Sequence, residues 1–152
     1  MDKIEKLEKV LDHIKHVQEN CYKLGFKLIK RGQFELGRKL IANGQIHDNS
    51  KFHGVEFDHL FADDTLLFTA VKHHASTNPH HPEYWVSIHI MPEEYIAEMV
   101  CDCTARSSEF GSDVRQWFML QATEKYGFTM DDEVGKKIVF YLDLLLDKPF
   151  KK

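Results

Sequence analysis

From Ile4 to Leu28, apolar residues recur at steps of three, four and seven: Ile4, Leu7, Leu11, Ile14, Cys21 and Leu28, with Val10, Val17 and Leu24 widening the stripe. That spacing predicts a long amphipathic helix, ending at Arg31-Gly32. A second helix is expected over 33–46, QFELGRKLIANGQI, with Phe34, Leu36, Leu40, Ile41 and Ile46 mostly inward. HDNSKF follows, where Asp48, Asn49 and Ser50 favour a helix end or tight turn. Residues 55–75 read as one or two helices, broken near Ala62-Asp63-Asp64, where an aspartate can cap the second piece. STNPHHPEYWVSIHIMP then forms a long loop holding three of the four prolines. Pro92 at a first helical position, with Glu93 and Glu94 after it, starts a helix that carries EMVCDCTARSSEF to Gly111. Two more helices are expected near 112–126 and 131–147. Period-two alternation is sustained nowhere, so the expected fold is one all-α domain over 1–152, with five to seven helices.

A chain of 152 residues can bury one hydrophobic core without disulfides. Its 43% hydrophobic and 29% charged content is ordinary for a globular protein. A net charge of −4 gives no global attraction for nucleic acid or an anionic membrane. The three cysteines, Cys21, Cys101 and Cys103, make no disulfide framework. On a helix Cys101 and Cys103 point about 200° apart and cannot jointly hold a metal. Reduced cysteines, and an N-terminus MDKIEKLEKVLDHIKH that is amphipathic rather than signal-like, lead to the expectation of a cytoplasmic protein with no membrane span.

The ten histidines all lie within the first 89 residues, which raises the odds of a metal or acid–base site. A histidine on the first helix is followed by His47-Asp48, then His73-His74 and His80-His81, then Asp102 on a later helix. Imidazole nitrogen with carboxylate oxygen suits Mn, Fe, Co, Ni or Zn, and Mg is also permitted. This order resembles the HD superfamily of metal-dependent phosphohydrolases. The resemblance implies an HD-domain-like helical fold in which the early histidine, the His-Asp pair and the distant aspartate bind one ion. Extra histidines between them bind a second ion in some branches.

Helical geometry selects the early histidine. At about 100° per residue, His13 lies roughly 70° from the centre of the Val10, Ile14, Val17, Cys21 stripe, and His16 roughly 130°, on the solvent side. His13 is therefore the expected ligand. On the later helix, Tyr95, Ile96, Met99, Cys103 and Phe110 share a face, with Arg106 close to its centre and Asp102 and Glu98 beside it. Such charges need partners. Either Glu98, Arg106 and Asp102 form a structural ion-pair network, or Asp102 is a ligand and Arg106 a clamp for phosphate or carboxylate. Lys51, one turn past Asp48, would pair with a bridging oxygen or a phosphate, or else sit solvated in a polar turn.

Longer blocks, HDNSKF, AVKHHASTNPHHPEYW and MPEEYIAEMVCDCTARSSEF, resemble a small family of uncharacterised bacterial and phage proteins catalogued as a domain of unknown function. Its members carry HDxSKF, HHxxxNPHHxxYW and EMVxDW motifs. This chain departs from them with Cys103 where tryptophan is expected. The family brings no established activity.

One histidine of each adjacent pair is expected to face the metal while its neighbour holds the shell or moves a proton. His13, His47, Asp48, His73, His80 and Asp102 are the expected ligands of one or two ions. Lys51, His74, His81 and Arg106 are the expected catalytic groups. Tyr84 and Trp85 are expected to pack the loop down, and His53, His59 and His89 are background. The leading function is hydrolysis of a nucleotide or other small phosphate ester. A di-iron oxygenase, which HDxxK and the extra histidines permit, and a non-catalytic binding protein with a structural metal are the alternatives. Nucleic acid is disfavoured as a partner, and a homo-oligomer is permitted.

Overall fold

The structure is a computed structural model that describes residues 2–61 and 64–150. Helix α1 (Lys3–Lys30) opens with a capping box. Asp2 accepts from the Glu5 amide at 2.8 Å, and Glu5 accepts from the Asp2 amide at 3.1 Å. It closes at Gly32, whose φ of 92° lets the Gln33 amide donate to the Leu28 carbonyl. The buried stripe is His13, Val17, Cys21, Leu24 and Leu28. Thus the stripe continues the expected one but is headed by a histidine. Ile4 and Leu11, expected inward, are exposed; Leu11 lies about 200° round the helix from the buried His13.

Helix α2 (Phe34–Ile46) runs antiparallel to α1. Its buried residues are Gly37, Leu40 and Gly44, while Phe34 and Ile46, expected inward, are exposed. Smallness selects this face. A Cβ on Gly25 would come within 2.6 Å of Ile41, one on Gly44 within 2.7 Å of the Cys21 Cβ, and one on Gly37 would run into the Gly25 carbonyl oxygen. The two backbones therefore approach closely, and the chain leaves α2 at His47 beside the middle of α1.

A 3₁₀ turn (Asn49–Phe52) leads into α3 (Gly54–Phe61) and α4 (Leu67–Thr77). Of the expected break, Ala62 and Asp63 lie outside the described residues. The cap of α4 is Leu66, without a side-chain hydrogen bond, rather than an aspartate. The loop to α5 (Glu93–Phe110) holds two 3₁₀ turns. Trp85 pins it, donating from Nε1 to the Pro79 carbonyl at 2.9 Å and packing against Tyr84 and Tyr95. Pro92 caps α5 rather than occupying its first turn, and Gly111 ends it at φ 67°.

Helix α6 (114–126) begins at Asp113, which accepts from the amides of Arg115 and Gln116. It contains a π turn over Phe118–Ala122. Helix α7 (Glu133–Leu146) is capped by Asp132. These are seven helices among the described residues, with no strand: an all-α domain. One core joins Val17, Leu24 and Leu28 of α1 to Leu40 of α2, Ile96 and Val100 of α5, Phe118 of α6, and Ile138 and Leu142 of α7. Each fully buried aliphatic of this kind contributes about 1.5–3 kcal/mol. Helix α5 packs on α1, α2 and α7. No helix among the described residues is long and apolar enough to cross a membrane.

Candidate metal centre

Four histidines point the same kind of edge inward. Each sets Nδ1 against a glutamate and Nε2 toward Asp48 or Asp102. His47 Nδ1 lies 2.7 Å from Glu98 Oε2, and His80 Nδ1 lies 3.0 Å from the same oxygen. His74 Nδ1 lies 2.6 Å from Glu56 Oε1, and His13 Nδ1 lies 2.9 Å from both oxygens of Glu109. An ionised carboxylate only accepts, so each Nδ1 carries the proton and donates it. Once the Nε2 proton is given up, this arrangement fixes the neutral tautomer and turns the Nε2 lone pair toward an electrophile, as in carboxylate–histidine–metal sites.

The Nε2 atoms converge. His74 and His80 stand 3.1 and 3.2 Å from Asp48 Oδ1, and His47 stands 3.4 Å from Asp48 Oδ2. His13 and His80 lie 2.8 and 3.4 Å from the Asp102 carboxylate. Among the buried atoms without a hydrogen-bond partner are His47 Nε2, Asp48 Oδ1, His80 Nε2 and His81 Nε2. Orphaned buried polar atoms are costly, and these border places that fit a cation. Three groups could hold a metal ion, with ligand atoms within 4.8 Å of one another: Asp48, His74, His80 and His81; His13, His47 and Asp48; and His47, His80 and Asp102.

Local structure aims the key aspartate. Asp48 sits in the left-handed region at φ 57°, ψ 24°. That conformation costs roughly 1–2 kcal/mol outside glycine and is best tolerated by Asn and Asp. It reverses the chain so that the consecutive side chains of His47 and Asp48 both enter the site and are almost wholly buried.

Burial disfavours charge on all these groups, but their mutual attraction wins. His47 is desolvated, yet Asp48, Glu98 and Asp102 push its pKa up to about 10. Burial likewise opposes the His80 charge, and Asp102, Asp48 and Glu98 raise it well above the usual imidazole value. Asp48 and Asp102, although desolvated, are held well below the carboxylate range by the histidines around them. His81 behaves oppositely: burial, then the charge on His80, drive it down to about 3. The centre thus pairs imidazolium protons with carboxylates, and a divalent cation would compete for the same places.

Most of the expected site residues are brought together here. The adjacent pair on α4 is the exception to the assignment. His74, expected to be catalytic, faces Asp48, whereas His73, expected to be a ligand, is 46% exposed and bound to Glu56 Oε2 at 2.6 Å. Consecutive helical residues diverge by about 100°, and α4 packs on α3 so that only His74 reaches Asp48. His81, expected to be catalytic, joins a ligand group. Lys51 Nζ lies 3.2 Å from Asp48 Oδ2. Arg106 is half-exposed and pairs with Glu109 at 3.4 Å, and Glu98 is buried against His47 and His80, so the Glu98–Arg106–Asp102 network is not what forms.

Glu56 and Glu109 were missed as histidine partners, and Glu98 was weighed only as a member of an ion-pair network with Arg106 and Asp102, not as a histidine partner. The usable signal for Glu98 was its position one turn before Asp102 on the same helix. His59, set aside as background, lines the adjoining cavity of about 560 Å³, as do Asp48, Lys51, His74, His81 and Asp102.

A family of unknown function, DUF5662, matches residues 61–142, more than half of the chain. The protein belongs to this family. The DUF5662 match takes in His74, His80, His81, Glu98 and Asp102, and stops short of His13 and His47-Asp48. Membership agrees with the resemblance to an uncharacterised family seen in the sequence blocks, and it carries no activity. No curated protein and no solved structure matches the chain.

Proposed function

We propose that the protein is a metal-dependent phosphohydrolase acting on a small phosphate ester, nucleotides included. The observation that supports this most is the set of four histidines with Nδ1 fixed on glutamates and Nε2 gathered around Asp48 and Asp102. His13, His47, Asp48, His74, His80 and Asp102 would hold one or two divalent ions, drawn from Mn, Fe, Co, Ni, Zn or Mg. A bound ion supplies a Lewis acid at a phosphoryl oxygen and makes a nucleophile of water near neutral pH.

The chain's own groups do the rest. Lys51, beside Asp48, balances charge on a phosphoryl oxygen. His81 keeps a neutral ring with Nε2 unpartnered, able to accept a proton or join the ligands. Arg106 lines the cavity within reach of an anion. The free cysteines, two of them buried, accord with a cytoplasmic setting.

The test is metal analysis of purified protein, followed by assays with Mn, Co, Ni or Mg against nucleotides and a chromogenic phosphodiester. Turnover that disappears in His47→Ala is expected. Failure with every metal overturns the reading. Two irons per chain with oxygen uptake would replace it with an oxygenase.

A further inference from the structure

The π turn in α6 changes which side chains face the cavity. In an uninterrupted α-helix Lys125 would be rotated about 80° from Trp117, and Tyr126 about 180°. The extra residue taken up by Phe118–Ala122 reduces these angles to about 20° and 80°. Trp117, Lys125 and Tyr126 accordingly all line the cavity that also contains Asp48 and Asp102.

Lys125 makes no ion pair among the described residues, and its ammonium lies 5.2 Å from the Tyr126 ring centroid. It shares the cavity wall with Arg106 and Cys103. Cys103 is the residue after Asp102, and Arg106 is one helical turn, about 6 Å, further along α5. Glu83 lines this stretch too and faces the Tyr126 hydroxyl. Apolar side chains make up much of the remaining wall, including Val10, Leu60, Val71, Met99 and Phe110.

We infer that Lys125, with Arg106, forms a second anion subsite about one helical turn from the metal centre, so that the substrate is an organic phosphate bearing a second anionic group. The apolar wall takes the body that joins the two. The inference deepens the phosphohydrolase proposal and rests on it. Lys51 and Arg106 are each held within ion-pair distance of a carboxylate, whereas Lys125 makes no ion pair among the described residues and rests its ammonium near the Tyr126 ring. It gains most from an incoming anion.

The experiment is calorimetric titration of Mn-loaded protein with propane-1,3-diyl bisphosphonate and with propylphosphonate, neither of which is hydrolysed. The wild type should bind the bisphosphonate tighter by about tenfold or more, the value of one charge-assisted contact. Lys125→Ala should abolish that advantage while leaving propylphosphonate binding within about twofold, and Lys125→Arg should retain it. Equal binding of the two ligands by the wild type, or equal weakening of both by Lys125→Ala, overturns the subsite alone. Failure of propylphosphonate to bind at all overturns the phosphoryl reading and the subsite with it.

Discussion

Glu98 Oε2 lies 2.7 Å from His47 Nδ1 and, through the same atom, holds His80 at 3.0 Å. One buried carboxylate therefore sets the tautomer of two candidate ligands. Glu98→Gln keeps the volume but presents a weaker acceptor, or an amide donor. Manganese affinity should fall by about 10–100-fold, measured by competition with a calibrated chelator. An unchanged affinity would remove Glu98 from the site's support.

The adjacent histidines on α4 separate cleanly. His74→Ala removes a group facing Asp48 and should weaken metal binding by about tenfold or more. His73→Ala removes an exposed Glu56 partner and should leave it within about threefold. Metal titration of the two variants side by side decides, and the reverse order would restore His73 as the ligand.

Stability of chelator-treated protein should fall on both sides of a plateau. The His47 pKa is raised from 6.5 to about 10, so its contribution is complete below 6.5 and is lost as pH rises through about 10. Asp48 and Asp102 are depressed from 3.8, so their contribution is present above 3.8 and is lost as pH falls through their lowered values. Urea midpoints across pH should therefore decline above neutrality. Metal should restore stability most at high pH, where it no longer competes with imidazole protons. A flat alkaline profile without metal would contradict this.

Gly37→Ala should destabilise the fold by roughly 1–3 kcal/mol, since its Cβ meets the Gly25 carbonyl and the helices must part. Separation of α1 from α2 also moves His47 relative to His13, so the same variant should lose metal affinity. Urea denaturation and metal titration together check both effects.

The helices were legible because apolar spacing reports them directly, from Val17 to Leu28 on α1 and from Ile96 to Val100 on α5. The inward face of α2 was not. It is chosen by Gly37 and Gly44, whose value lies in what they lack, so Phe34 and Ile46 misled. His13, His47, Asp48 and Asp102 were named from an order that resembles the HD superfamily, with helical angle choosing His13 and placing Asp102 beside a buried face, and His80 as one of an adjacent pair; all five fall in groups that could hold an ion. The choice between His73 and His74 depends on how α4 packs against α3, a tertiary fact that no local pattern records. Glu56 and Glu109 looked like ordinary surface carboxylates until the folded chain set them behind imidazoles.

The π turn separates two kinds of inheritance within one short chain. Every candidate metal ligand precedes residue 103, whereas Lys125 and Tyr126 follow it and owe their aim relative to Trp117 to one surplus residue in α6. A single-codon insertion or deletion there would rotate a different set of side chains toward the cavity in one genetic step. The candidate metal ligands would keep their places while the lining of the cavity changed.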